Sequence, residues 1–229
     1  MNYTPAILIP LLCLLALGAA CNRSSSPTPV AAPPTPDITA LKAEAEKGNA
    51  SAQAQLARAY TGWAGVKPDY KEAARWYRAA ATNGDLDAQA TLGELYQAGR
   101  GVPYDITEAT NWFSRAANAG NAAAQYDLAY LFEQGRGVRQ DENLAAKWYE
   151  LAAEGGEPLA QFDYGQRCVL GVGVAKDPVE GLKWLLIAAA HGLPDSAAKA
   201  DAIEANLSRE QVAEAKKRAA SFVPRRATP

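Results

Sequence analysis

Four tryptophans, Trp76, Trp112, Trp148 and Trp184, stand 36 residues apart. The same interval separates Gly48, Gly84, Gly120, Gly156 and Gly192, and the pairs Ala52-Gln53, Ala88-Gln89, Ala124-Gln125 and Ala160-Gln161. It also separates Val66, Val102, Val138 and Val174, and Asp69, Asp105, Asp141 and Asp177. Independent columns sharing one period define a tandem array, and a period of about 20–50 residues marks solenoid-type architectures. The units are 49–84, 85–120, 121–156 and 157–192.

Within unit two, Ala88, Leu92, Leu95 and Tyr96 fall at i, i+4, i+7 and i+8, one face of a helix over 86–98. Gly99-Arg100-Gly101-Val102 then breaks the period. The first glycine can end the helix in the left-handed conformation, the second lets the chain turn back, and Val102 anchors the turn in the core. Asp105 opens a second helix as N-cap, with Glu108 as the acidic form of a capping box. Asp69/Glu72 and Asp177/Glu180 repeat that spacing, whereas Asp141 is followed by Leu144. The second helix carries Ala109, Trp112, Ala116 and Ala117 and ends at Gly120. So short a pair cannot bury its apolar face alone, so stability must come from neighbouring units. The expected fold is all-α. Much of the 48 % hydrophobic content is alanine, which favours closely approaching helices.

The repeated columns, Ala-Gln-x-x-Leu-Gly-x-x-Tyr-x-x-Gly-x-Gly-Val-x-x-Asp-x-x-x-Ala-x-x-Trp-(Tyr/Phe)-x-x-Ala-Ala-x-x-Gly, closely resemble the Sel-one-like repeat, a relative of the tetratricopeptide repeat. The match covers 144 of 229 residues. The resemblance implies a right-handed αα-superhelix and a role in assembling protein complexes. Unit one departs from the pattern at Trp63, in place of the first loop glycine. Unit four departs at Tyr164, Cys168 and Gly181, and looser packing is expected there. Residues 38–48 read as an N-terminal capping helix and 193–222 as C-terminal capping helices. The latter comprise a degenerate first helix over 194–205 and a last one opened by a Ser208-x-x-Gln211 capping box. Residues 223–229 read as a frayed tail.

The uncharged run 6–20 has 15 residues, fewer than the roughly 20 a membrane span needs. It reads as a cleaved signal segment, 1–20; an ordinary signal peptide or an uncleaved anchor are the alternatives. Gly18-Ala19-Ala20 directly before Cys21 resembles the lipobox of bacterial lipoproteins, with Gly18 in place of the usual aliphatic residue and no Lys or Arg in 1–4. That resemblance implies acylation of Cys21, and Asn22 after it favours the outer membrane. Residues 21–37, rich in Ser and Pro, form a semi-extended tether. The expected location is the bacterial cell envelope: an outer-membrane lipoprotein facing the periplasm, or a periplasmic protein.

The net charge of -2 and the absence of a basic stripe give no case for nucleic acid. Beyond the leader and Cys21, one cysteine (Cys168) and one histidine (His191) cannot fill a zinc shell. His191 reads as a solvated residue at a helix C-terminus. No phosphate loop is present, and the Gly-x-Gly-Val loops lack the strand that a nucleotide fingerprint requires, so no cofactor is expected. Ser196-Ala-Ala-Lys199 matches the Ser-x-x-Lys of penicillin-interacting enzymes, without the companion Ser-Asp-Asn and Lys-Thr-Gly triplets.

In helical-repeat arrays the first helix of each pair usually lines the concave face. Two columns there vary between units while the core columns hold: Arg58, Glu94, Tyr130 and Gln166, and Gln55, Thr91, Asp127 and Asp163. A peptide or protein segment along this groove would touch Tyr130, Asp127 and Glu94. Tyr126 and Phe162 fall at positions that commonly carry a packed aromatic. The chain reads as a non-enzymatic interaction scaffold of the cell envelope. The alternatives are a polysaccharide- or peptidoglycan-associated assembly factor and a β-lactam-interacting serine enzyme.

Overall fold

The computed structural model describes residues 37–225. The signal segment 1–20, Cys21, the tether up to residue 36 and residues 226–229 lie outside the described residues. Eleven α-helices and one short 3-10 turn make up the described chain, with no strand among them. The helices are α1 (Ile38–Glu46), α2 (Ala50–Tyr60), α3 (Tyr70–Thr82), α4 (Leu86–Ala98), α5 (Ile106–Asn118), α6 (Ala122–Gln134), α7 (Glu142–Glu154), α8 (Pro158–Leu170), α9 (Pro178–Ala190), α10 (Ser196–Glu204) and α11 (Arg209–Ala220). From α1 to α10 each helix packs against its sequence neighbours, and α9 also carries α11. This is an αα-solenoid.

Each unit repeats the same hydrogen bonds. The first helix is capped by Asn49, Asp85, Asn121 or Glu157 and the second by Asp69, Asp105, Asp141 or Asp177, whose carboxylates accept from the N–H groups of the first turn. The reciprocal half of the expected capping box does not form. The backbone N–H of each capping aspartate already donates to a carbonyl of the preceding helix, Asp105 to Tyr96 at 3.1 Å and Asp177 to Cys168 at 2.8 Å. Glu72 and Glu180 are thus released to pair with Arg75 and Lys183. The Ala-Gln column also has a function beyond its spacing. Gln53, Gln89, Gln125 and Gln161 donate through Nε2 to the carbonyls of Ala45, Ala81, Ala117 and Ala153, at 3.0–3.3 Å. Each of these last-turn carbonyls also accepts the N–H of the glycine three residues on, at 3.0–3.2 Å, so the glutamine supplies its second donor and ties the next helix to the end of the preceding one.

The core runs along the array. Trp76 and Trp112 lie with Leu56, Leu92 and Leu95, Phe113 with Leu128 and Leu131, and Tyr149 and Tyr164 with Trp184. Tyr96, Phe132 and Trp148 each belong to two adjacent groups and join them. Trp148 is half-buried, less enclosed than the other three members of its column. The loop valines Val102, Val138 and Val174 pack against the core as expected.

Departures from the pattern have local consequences. With Trp63 at the first loop position, the left-handed conformation moves one residue back to Gly62 (φ 101°), and α2 ends at Tyr60, two residues before its counterparts. Unit four is not loosened. Gly165 and Gly181 bring α8 and α9 together so closely that a Cβ at 181 would lie 2.7 Å from the Gly165 carbonyl oxygen. Tyr164 and Cys168 are buried there, and the Tyr164 hydroxyl donates to Glu150 at 2.8 Å. Glycine at 181, where the repeat has alanine, tightens the pair instead of leaving a void. The expected tail is also partly fixed: the Arg225 N–H donates to the Glu154 carbonyl at 2.8 Å, and its guanidinium pairs with the Glu154 carboxylate. The Ser208/Gln211 capping box forms on both sides.

The second loop glycine is required by its neighbours as well as by its φ. A Cβ at Gly101 would lie 1.9 Å from the Tyr70 carbonyl oxygen, and one at Gly173 2.0 Å from that of Glu142. Both oxygens belong to the first residue of the second helix in the preceding unit. Gly65 occupies the same column with φ 75°, against 72° at Gly101, but no complete unit precedes it and a Cβ there would meet nothing within 4 Å. Gly65→Ala should therefore cost about 1–2 kcal/mol, the left-handed penalty alone. Gly101→Ala should cost about 3 kcal/mol or more, because the loop must also retreat from the helix beneath it. Urea melts of the two variants measure the difference; equal midpoints would remove the inter-unit contact from the account.

Candidate functional site

The first helices of the four units, α2, α4, α6 and α8, carry the two variable columns. Four members share one cleft of about 630 Å³: Gln55 and Arg58 from α2, Thr91 and Glu94 from α4. Tyr70, Tyr77, Asp85, Asp87 and Arg100 complete its walls. The Arg58 guanidinium lies over the Trp63 ring at 4.8 Å and that of Arg100 over Tyr70 at 5.7 Å. Asp85 and Asp87 are already engaged, the first capping α4 at Ala88 and the second accepting from Asn121 at 2.7 Å.

The other four sites extend along the same helices. Asp127 on α6 is half-buried. Desolvation, reinforced by the charges of Glu94 and Glu157, pushes its carboxyl up to about 7. Desolvation also raises Glu94. Neither carboxylate has a hydrogen-bond or ion-pair partner among the described residues. Asp163 accepts from the Tyr126 hydroxyl at 3.2 Å, and desolvation raises its pKa despite that bond. Tyr130 is exposed, with Arg136 and the exposed Tyr104 close by. Gln166 lies apart from this series: it accepts from Lys199 at 2.5 Å and borders an apolar cavity of about 250 Å³ with Val169, Leu185 and Ile203.

Tyr126 and Phe162 pack inward. The Tyr126 ring stands edge-on to Tyr149 at 5.5 Å, and Phe162 joins the core beneath α10. Three groups that share this face were not singled out by the repeat pattern: Arg100, Tyr104 and Arg136. Their signal was present, because the loop columns Ala64, Arg100, Arg136, Val172 and Pro68, Tyr104, Gln140, Lys176 vary as strongly as the helix columns. The spacing alone did not show that the loops fold back beside the groove.

The residues weighed for chemistry are placed as follows. The Ser196 hydroxyl is fully buried and the Lys199 amine is bonded to Gln166, so this Ser-x-x-Lys does not present a nucleophile to solvent. His191 is exposed as the C-cap of α9. Cys168 is buried, and desolvation holds its thiol up at about 11, protonated at neutral pH. Among the described residues no group of three His, Cys, Asp or Glu could hold a metal ion, and no helix is long and apolar enough to cross a membrane.

Comparison with known proteins agrees with the architecture. No curated protein sequence matches the chain. Among solved structures, c5321, described as a protective antigen present in uropathogenic Escherichia coli strains and displaying an SLR fold, is 32 % identical with a TM-score of 0.73. The match covers 83 % of this chain but only 41 % of c5321, so the chain spans about two fifths of that protein. A Sel1 repeat protein from Oxalobacter formigenes is 28 % identical with a TM-score of 0.67, over 81 % of this chain and 79 % of the other. The model of the Sel1 repeat matches four times in tandem, at 50–85, 86–121, 122–157 and 158–193, one residue beyond the units read from the periodicity. With the repeat filling most of its length and its helices stacked as in those structures, the chain belongs to the Sel1 repeat family.

Proposed function

We propose that this chain is an interaction scaffold of the bacterial cell envelope, holding a segment of a partner protein along the face formed by α2, α4, α6 and α8. Sel1 repeat proteins in general mediate protein–protein contacts. The observation that carries the reading here is the contrast between two sets of columns. The alanines, leucines and tryptophans that hold the array together are nearly constant, whereas the first-helix column Arg58, Glu94, Tyr130 and Gln166 carries a different group in each unit, the first three of them on the groove. Asp127 is half-buried without a partner in the chain, a cost that a donor from a bound segment would offset, and the exposed Glu94 beside it is free to accept as well. Tyr130 and Tyr104, both exposed near Arg136, supply aromatic area of the kind that dominates binding energy. An acyl group on Cys21 would tether this face to the membrane through the Ser/Pro-rich segment. The description of c5321 as a protective antigen is in keeping with an envelope location.

In cells, crosslinking should capture a protein partner with the parent chain, and Tyr130→Ala with Glu94→Arg should lower that capture by about tenfold or more while helicity stays unchanged. Cys21→Ser should release the chain from membranes into the soluble periplasmic fraction. Undiminished capture by the double variant would remove the groove assignment, and membrane retention of the serine variant would remove the lipid.

The Asp127 carboxyl also sets a pH dependence. Its pKa is near 4 in the unfolded chain and about 7 in the fold. Folding therefore disfavours its ionised form, a penalty that is absent below pH 4, grows between 4 and 7 and is complete above 7. Asp127→Asn should stabilise the fold by about 1–2 kcal/mol at pH 8 and leave it unchanged at pH 4. Thermal melts at the two pH values check this, and parallel shifts at both would contradict it.

A further inference from the structure

The groove is not uniform, and the cleft between α2 and α4 has a charge arrangement of its own. Of the carboxylates lining it, Asp85 caps α4 and Asp87 holds Asn121, which leaves Glu94 as the one acid without a hydrogen-bonding partner. Both arginines in the cleft are unengaged: neither Arg58 nor Arg100 has an ion pair or a hydrogen-bonded acceptor among the described residues. Each guanidinium instead lies over an aromatic ring, Trp63 or Tyr70. A guanidinium stacked in this way keeps its N–H edges free for a planar, two-oxygen acceptor and loses little freedom on meeting one. The cleft, at about 630 Å³, is large enough for a side chain with its flanking backbone.

Resting on the reading of this face as a peptide groove, we infer that the cleft that Arg58 and Arg100 both line is a subsite for an acidic side chain, Asp or Glu, of the bound segment. Thr91 and Gln55 offer hydrogen bonds to the backbone beside it. The rest of the face sets the sign of what flanks that side chain. Glu94, Asp127 and Asp163 succeed one another along α4, α6 and α8, so a run of negative charge would be repelled beyond the first position. A polyanion such as a uronic-acid polysaccharide is disfavoured for that reason. The fitting ligand is a peptide with one carboxylate at the α2–α4 end and neutral or basic residues after it.

The test uses an array of peptides of roughly a dozen residues. Each has one Asp or Glu set among neutral and basic residues and is paired with its Asn or Gln isostere, and the array is probed with the chain from residue 22 onward. The acidic members should bind about tenfold or more tightly than their isosteres, and the preference should weaken with added salt. Arg58→Ala with Arg100→Ala should abolish the preference. Both side chains are exposed, so the melting midpoint should hold; Arg58→Lys with Arg100→Lys, which keeps the charge but not the fork, should retain part of it. Equal binding of isosteres, or a preference that survives the double alanine variant, overturns the acidic subsite and leaves the groove standing if Tyr130→Ala still weakens the peptides. An array with no binding to this face overturns both readings. Binding of oligogalacturonate that needs the two arginines, with peptides excluded, assigns the cleft to glycan and overturns the inference.

Discussion

The contact on which the array depends is the seating of one unit's loop on the first turn of the helix in the unit before it. At Gly101 and Gly173 the backbone approaches a carbonyl oxygen so closely that no side chain fits, and Gly137 meets Thr110 and Ile106 in the same way. That approach fixes the offset between successive pairs. The other inter-unit contacts follow from it: the glutamine that bonds a last-turn carbonyl of the preceding helix, and the bridging rings of Tyr96, Phe132 and Trp148. Because each is a nearest-neighbour contact, stability accumulates along the chain and is not concentrated in one centre.

The same offset places polar groups of adjacent units within range of one another. Arg167 on α8 reaches back to Glu133 and Glu142 of the preceding unit and lies over the Tyr149 ring, whose hydroxyl donates to Glu133. A charge buried to that degree is tolerated because it meets two carboxylates and a ring at once. On the groove side the converse holds. Glu94 and Asp127 have been brought near each other with no cation between them. Arg167 is thus paired within the array, whereas these two carboxylates have no partner in the chain.

The ends show how a solenoid stops. Alpha-helix α9 has no fifth unit to cover it, and α10 and α11 share that task. Phe222 sets its ring against Trp184 at 5.1 Å, and Arg225 pairs with Glu154 beyond it. The short α10 covers α8 incompletely, and the apolar cavity beside Gln166 is the result.

Periodicity alone determined the helix pairs, the capping aspartates and the core, since each depends on residues close in sequence and on a pattern stated four times; the early end of α2 and the partners of Glu72 and Glu180 it did not. It also ranked Arg58, Glu94, Tyr130 and the second column by their variation. Two outcomes depended on how helices meet in space. Unit four, with Gly165 and Gly181, tightened because two missing side chains faced each other across the α8–α9 contact. The loop residues Arg100, Tyr104 and Arg136 came to the groove because the glycine beside them let the loop fold onto the previous unit. Only the tertiary structure decided that Arg58 and Arg100, 42 residues apart in the chain, share one cleft while Gln166 faces another. Local pattern specifies which face a residue occupies, but not the distance between faces of different units; that distance is set by side-chain volume and backbone approach at the interfaces.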